Sequence, residues 1–537
     1  LFSFLNSSHE KQLGQLASDF FPEEFIFLSS QLSPEFREYE RTSTTVVAAA
    51  VAPRVVNYLQ VLLNNLDQIG CAQSEVFIMH SGGGMLPARE AAHHPHQLIE
   101  SGPAAGLMAA AHLSQLLHLP RVIAFDMGGT TAKAGVIFNG QPQYTVDYQV
   151  GGDIHRGGRN YGGYPVRFPM IDVTECGAGS GSIAWIDPGG HLQVGPRSAG
   201  AHPGPAGYGQ GGKEPTVTDA YLLLGFLQAD DLLGGRKALF PALARKAIQE
   251  EIAQPLGLEV RQAAQGILTL VNANMLRILR LVSISRGHDP RDFTLLPYGG
   301  AGPLHACHLA EEMEIKKIII PPFPGLFSAT GLLLSDITMD FVRTKLLLLS
   351  ENNITTIQAI FSLLLKEAEA WFQRTGLGQD KTALFPSVDL RYQGQNYELN
   401  VPFSGKKFTR DLMASLLLSF HQIHQQLYGH CEPRAPVELV NLRLKAVVKV
   451  TKPQFPPLEK ATTSIQESRE SFREIWLAEN IKKGIRVIKC PVFQRDNLRA
   501  GHEIKGPALI KETCSTTFVG PGWHLQVDTL GNLILER

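Results

Sequence analysis

The clearest periodic signal in the chain lies at residues 260–284, where Ala264, Ile267, Val271, Met275, Ile278 and Val282 recur at steps of three and four. Such spacing predicts a helix with one apolar stripe, and the stripe's aliphatic make-up marks it as core rather than cofactor contact. Upstream, Val122-Ile123-Ala124-Phe125 is an apolar strand ending in Asp126, and Ala134, Val136 and Phe138 alternate along a second strand after a Gly-Gly turn. Downstream come a strand at 293–296, a helix at 304–313 and the strand Ile318-Ile319-Ile320. Strands and helices alternating in this way predict an α/β layered core.

Residues 1–70 read as mainly helical, and 76–80 as a short buried strand leading into Ser81-Gly82-Gly83-Gly84. A helix follows to Leu117, with Ser101 suited to cap it and Pro103 to its first turn. Residues 149–212 are rich in glycine with little periodicity, which predicts loops and short strands around a site. After about residue 345 the texture changes to a helix at 354–375 and strand-like stretches at 385–402 and 436–450. A Pro/Ser-rich linker at 452–470 precedes a tail of short β-runs with turns at Gly506-Pro507 and Gly520-Pro521-Gly522. The expected division is therefore 1–345, 346–451, 452–470 and 471–537.

At 537 residues the chain exceeds what one core organises and should hold about three or four domains. Lys plus Arg (49) nearly cancel Asp plus Glu (50), and no basic patch stands out, which argues against nucleic acid. The six cysteines are scattered without a CxxC pair, as expected of a reducing, cytoplasmic compartment. No uninterrupted apolar run approaches the ~20 residues that span a bilayer, so no membrane association is expected. The opening LFSFLNSSHEKQL lacks the basic region and cleavage site of a signal peptide.

Two glycine motifs carry candidate chemistry. In Phe125-Asp126-Met127-Gly128-Gly129-Thr130-Thr131 a strand delivers a carboxylate to a turn whose glycines allow an anion to come close. Successive N–H groups and two hydroxyls can hold phosphate oxygens, and Asp126 can hold a magnesium-bound water or orient a nucleophile. The same residues also make good hairpin-turn chemistry. Tyr298-Gly299-Gly300-Ala301-Gly302-Pro303-Leu304-His305-Ala306 follows a strand and opens a helix. Glycines there admit a flat ligand and the helix N-terminus favours negative charge, although a tight strand-to-helix turn needs the same residues. Both motifs sit on strand ends, where open α/β sheets bind ligands.

Together the two motifs resemble the phosphate and adenosine motifs of the actin/sugar kinase/heat-shock ATPase superfamily. The wider sequence resembles the hydantoinase A/5-oxoprolinase family in Arg37-Glu-Tyr-Glu-Arg-Thr-Ser-Thr-Thr, Glu100-Ser-Gly-Pro-Ala-Ala-Gly, Pro169-Met-Ile-Asp-Val and Gly177-Ala-Gly-Ser-Gly-Ser-Ile-Ala-Trp. It continues through Pro203-Gly-Pro-Ala, Pro215-Thr-Val-Thr-Asp-Ala, Val271-Asn-Ala-Asn-Met and Arg286-Gly-His-Asp-Pro-Arg-Asp-Phe. Arg391-Tyr-Gln-Gly-Gln, Pro436-Val-Glu-Leu-Val-Asn-Leu-Arg and Ser515-Thr-Thr complete it.

This resemblance implies an RNase H-like (actin-like ATPase) α/β core with Gly-rich insertions, followed by an α+β and β-rich C-terminal region. It implies a hydrolase that spends MgATP to phosphorylate the carbonyl oxygen of a cyclic amide: a hydantoin, 5-oxoproline or a lactam. A hydantoinase B-like subunit would complete hydrolysis in an oligomer, and a carboxylase branch activates ketones with similar machinery. Asp126 would manage Mg2+ or its water; Gly128, Gly129, Thr130 and Thr131 would hold the phosphates of ATP; Gly299, Gly300 and Gly302 would face its adenosine. Asp172, Asp219, Arg286, His288 and Asp289 are the polar candidates for the walls of the site. Each has a structural alternative: Asp172 as a turn cap, Asp219 as a helix cap, Arg286 with Asp289 as an ion pair, and His288 as a satisfied loop histidine. His93, His94 and His96 lack a carboxylate at helical spacing and read as a solvated loop rather than a metal site.

The resemblance also has gaps. The family's first phosphate motif, an Asp-x-Gly-Gly-Thr, precedes everything present here, and the chain starts at Leu1 rather than Met. An N-terminal truncation is therefore expected, with half of the phosphate cradle outside the sequence. Ala48 and Gly82 stand where Asn is usual, His202 where Asp is, Gly207 for Cys, Tyr221 for Asn and Ser285 for Glu; Lys133 stands where many members have Asp, although a Lys there also occurs in part of the family. On cleft-lining loops these changes predict a divergent substrate, or lost catalysis in a fold kept as a partner-binding scaffold.

Overall fold

The alternating strands and helices close into one nine-stranded sheet in a computed structural model that describes residues 2–71, 74–152, 162–375, 381–480 and 484–537. Its central elements, in chain order, are β1 (Arg121–Met127), β2 (Ala132–Phe138), β3 (Thr174–Cys176), α1 (Val260–Val282), β4 (Thr294–Tyr298), α2 (Gly302–Glu312) and β5 (Lys317–Ile320). The β1–β2 and β2–β3 pairs are antiparallel, whereas β4 lies on the other side of β1, parallel to it, with β5 parallel beyond. Both faces of β1 are covered, which is why its sequence is continuously apolar. Ile123 and Phe125 pack into the core that holds α1, and Val122 and Ala124 pack against the helix Ser101–Leu116.

All six residues of the α1 stripe are buried. Glu259 and Gln262 close a reciprocal capping box at its start, satisfying donors that a helix end leaves open. The preceding helix differs from expectation in one detail. Ser101 is its first helical residue and no side chain caps it; the Glu100 N–H is taken instead by the Ser81 hydroxyl at 2.9 Å.

A second sheet of six strands gathers Phe77–Met79, Met85–Pro87, Ile337–Leu348, Val437–Val448, Thr382–Tyr392 and Leu399–Pro402, in that spatial order. The helices Ile354–Thr375 and Arg410–Tyr428 contribute to its core. In the tail, Glu503–Lys505, His524–Val527 and Leu533–Glu536 continue the nine-stranded sheet beyond β5, and four further strands form a sheet of their own. The 452–470 stretch is pinned rather than loose, with Leu458 N–H donating to Thr529 (2.7 Å) and Ala461 N–H to Ala500 (2.9 Å).

By length and composition alone, two described helices, Glu38–Gln68 and Val260–Arg286, are long and apolar enough to cross a membrane, although neither is an uninterrupted apolar run. The second includes the core helix α1. The first exposes Arg54, Asn57, Gln60 and Asn64.

Candidate functional site

Asp126 is the penultimate residue of β1, and the register of the sheet builds a row around it. Tyr298 of β4 lies opposite on one side and Lys133 of β2 on the other, while Lys133 in turn faces Glu175 of β3. Residues in register share a face of the sheet, so these groups form one line across four strands. The Asp126 carboxyl is mostly buried and accepts no hydrogen bond among the described residues. Burial pushes its pKa up, and the Lys133 ammonium pulls the other way.

The turn beside it is braced from behind. Gly128 and Gly129 carbonyls accept N–H bonds from Ser180 (3.0 Å) and Gly181 (2.7 Å), on the glycine-rich loop 177–181. That loop must be small, since a Cβ on Gly179 would lie 2.5 Å from the Gly129 carbonyl carbon. Gly129 and Thr130 are exposed and their N–H groups find no partner among the described residues. A Cβ on Gly128 or Gly129 would meet nothing within 4 Å, so the space before the turn is open. Free amides, open space and an uncommitted carboxylate fit a phosphate with its metal ion.

The structure brings the second glycine motif against the first. Ala301 N–H donates to the Met127 carbonyl (3.1 Å), Gly299 N–H donates to Pro324 (2.9 Å), and Gly302 opens α2. Gly299 has φ +80°, and a Cβ there would run into the Asp126 carboxylate. Gly300 faces the Cys514 carbonyl. The exposed apolar side chains Phe323 and Leu326 flank this loop, from a Pro-rich turn that carries no recognisable motif.

On its other side the row opens into a cleft of about 840 Å³, whose lining includes Glu100, Tyr148, Asp172, Glu175, Arg286 and Glu398. Arg286 grips Asp172 through both nitrogens at 2.6 and 3.1 Å. The Tyr148 hydroxyl donates to Glu100 (2.7 Å), whose pKa is raised by burial and by the nearby Glu175. A larger cleft of about 1040 Å³ lies against the helix Ile354–Thr375, lined by Phe361, Phe403 and neighbours and by none of the motif residues.

Asp219, His288 and Asp289 do not join the row. Asp219 is fully buried, accepting from the Ala206, Gly207 and Thr216 amides and the Thr216 hydroxyl at 2.6–3.3 Å in a capping box. Asn at this position turns a donor toward those donors. Asp219→Asn is expected to destabilise the fold by roughly 1–3 kcal/mol, read as a lower denaturant midpoint, without changing MgATP affinity of the folded protein. Asp289 caps a short 3₁₀ turn and pairs with Arg291 rather than Arg286. His288 packs against Phe138, ring centroids 4.9 Å apart, and burial beside Arg121 and Arg286 lowers its pKa.

The histidine group is not one solvated loop. His93 is exposed and His94 half-buried, but His96 is fully buried against Phe168, and burial lowers its pKa to about 3. No metal-ligating cluster forms among the described residues. The unusual residues do not line one cleft either: Ala48, Gly82, Gly207 and Tyr221 are buried, and only His202 and Ser285 are exposed. Gly82 has no room for a side chain, since a Cβ would lie 2.8 Å from the Pro169 carbonyl. Tyr221 donates to His305 Nε2 (2.9 Å), whose Nδ1 donates to Asn272 (2.6 Å).

A family model described as hydantoinase/oxoprolinase matches residues 41–341, and one for the hydantoinase/oxoprolinase C-terminal domain matches 349–536. The chain belongs to the hydantoinase/oxoprolinase family. It is 40% identical to an uncharacterised protein of Methanocaldococcus jannaschii, covering 100% of this chain and 76% of that one. It is 36% identical to the caprolactamase subunit alpha of Pseudomonas jessenii (98% and 74%) and 30% identical to the acetophenone carboxylase gamma subunit of Aromatoleum aromaticum (100% and 73%). The crystal structure of the ATP-dependent caprolactamase from Pseudomonas jessenii matches with a TM-score of 0.80 at 34% identity, covering 99% of this chain and 75% of that one. The fold of this hydantoinase/oxoprolinase family member is thus α/β with an RNase H-like, actin-like ATPase core.

Proposed function

We propose that this chain uses MgATP to phosphorylate the carbonyl oxygen of a cyclic amide, with a hydantoinase B-like partner subunit completing hydrolysis. The observation that carries this reading is the row from Tyr298 through Asp126 and Lys133 to Glu175, which joins an open phosphate turn to a polar cleft. At about 840 Å³ the cleft has the size of a small-molecule site. The name of the caprolactamase relative supports a lactam.

An amide resists water because its nitrogen feeds electrons to the carbonyl carbon. In the proposed step the amide oxygen bonds to the γ-phosphorus as the bond to ADP breaks. Water then adds to the activated carbon, the C–N bond breaks as nitrogen takes a proton, and a second water releases phosphate from the acyl phosphate. The chain's part is positioning and charge: the Gly129 and Thr130 amides with the Thr130 and Thr131 hydroxyls hold phosphate oxygens, and Gly299, Gly300 and Gly302 border the adenosine. Asp126 would hold, through water, the magnesium ion that neutralises the phosphates. Asp172 and Arg286 would wall the amide's side. The free state of all six cysteines supports a cytoplasmic setting.

The test is ATP turnover by the chain with its B partner, in the presence of caprolactam, hydantoin or 5-oxoproline in turn. At least one is expected to raise turnover about tenfold, since an oriented acceptor is what the γ-phosphoryl lacks without it. No stimulation by any of them would sink the amidase reading. The likeness to an acetophenone carboxylase subunit favours ketone activation as the second reading. That reading predicts turnover that requires bicarbonate together with a ketone.

A further inference from the structure

Lys133 stands between two carboxylates, directly opposite Asp126 on one side and Glu175 on the other. Its ammonium donates to the Thr131 hydroxyl and lies 3.4 Å from a Glu175 oxygen. Thr131 closes the turn whose Gly128 N–H is tied to the Thr131 carbonyl at 3.2 Å and whose next amides are open. Lys133 is thus the one cation hydrogen-bonded to this turn among the described residues. Its partners leave it movable: the Glu175 side chain is 35% exposed and the pair is long, so solvent screens it and it contributes little to stability. A lysine stem is flexible enough to move its charge by several ångströms without backbone change.

We infer that Lys133 is a phosphoryl-binding cation that Glu175 holds beside the turn until nucleotide arrives. The inference rests on the proposed phosphoryl transfer and gives the row its electrostatic logic. A triphosphate on the turn brings negative charge next to Asp126, and Lys133 is the group placed to offset both. When the γ-phosphoryl is present, the ammonium exchanges Glu175 for a γ-oxygen. It stays there while the bond to ADP breaks and the bond to the amide oxygen forms, and no proton moves. A structural ion pair would make Lys133 and Glu175 equivalent. A phosphoryl cation and its holder differ in sign, since loss of Glu175 frees the cation.

The experiment titrates the full chain calorimetrically with MgATP and, separately, MgADP, comparing wild type with Lys133→Met, Lys133→Arg and Glu175→Gln. Lys133→Met is expected to weaken MgATP about tenfold while leaving MgADP nearly unchanged, because the lost contact is to the γ-phosphoryl. Lys133→Arg should recover part of that loss, and Glu175→Gln should bind MgATP as tightly as wild type or more tightly. Equal MgATP-to-MgADP ratios in wild type and Lys133→Met overturn this inference alone. So do parallel losses in Lys133→Met and Glu175→Gln accompanied by equal drops in melting temperature, which mark a structural pair. Wild-type protein that binds neither nucleotide overturns both the inference and the phosphoryl-transfer reading beneath it.

Discussion

Gly299→Ala is expected to weaken MgATP binding at least about thirtyfold while the nine-stranded sheet stays folded. Two costs meet at this residue. Its φ of +80° is left-handed, where a Cβ is disfavoured by about 1–2 kcal/mol. The added methyl would also run into the Asp126 carboxylate and the Met127 carbonyl. Overpacking of that kind costs about 1–3 kcal/mol. The strain falls at the end of β4, where the loop can lift away from β1, so it is relieved by separating the two motifs rather than by opening the core. Gly300→Ala adds a methyl to the same loop without the backbone strain, because φ there is not left-handed and the Cys514 carbonyl would sit 3.4 Å from the Cβ, so any loss it shows is that of the adenosine border alone. Calorimetric titration alongside thermal melts separates the outcomes. If Gly299→Ala binds like wild type, contact between the two motifs does not matter to the nucleotide.

The features legible in the sequence are those that local chemistry alone dictates. The α1 stripe has no other burial that suits six aliphatic residues at that spacing, and all six are inside. The two glycine motifs mark strand ends because only glycine tolerates the close approach that Gly299 makes to Asp126. What could not be read was long-range pairing. The placement of Lys133 between Asp126 and Glu175 comes from the strand register, and residues 139–173 separate β2 from β3 along the sequence. The helix Arg410–Tyr428 also escaped, although Met413, Leu416 and Phe420 are buried at helical spacing. Its stripe is short and punctuated by His421 and His424.

The substituted positions teach a different lesson. Read as cleft-lining changes, they suggest a divergent substrate or lost catalysis; in the structure Gly82 is closed in by the Pro169 carbonyl, a Cβ on Gly207 would press on the buried Leu222 and Asp219 side chains, and Tyr221 completes a buried chain to His305 and Asn272. Burial lowers the His305 pKa to about 3, which keeps the imidazole neutral and suits one donating and one accepting nitrogen. Four of these positions lie in the packed interior, away from the open turn at Gly128–Thr131, and say nothing against it.

Asp126→Asn separates the function of that turn from its stability, because the two should move in opposite directions. Loss of the carboxylate removes the group that would hold the metal's water, and ATP turnover is expected to fall about 10²–10³-fold. Stability should rise. Burial raises the Asp126 pKa, with Lys133 only partly offsetting it. A group whose folded pKa is raised favours folding below its unfolded value, about 3.9 for aspartate, and loses that contribution as pH rises through the folded value. At about pH 7 the wild-type protein therefore carries the cost of a buried charge that asparagine does not. Asp126→Asn should melt above wild type near neutrality, and the gap should close as the pH is lowered toward about 4. A variant that loses turnover but melts at or below wild type at every pH would mean that the carboxylate is stabilised by the fold rather than held against it. One that keeps both turnover and wild-type stability would return the motif to an ordinary hairpin turn.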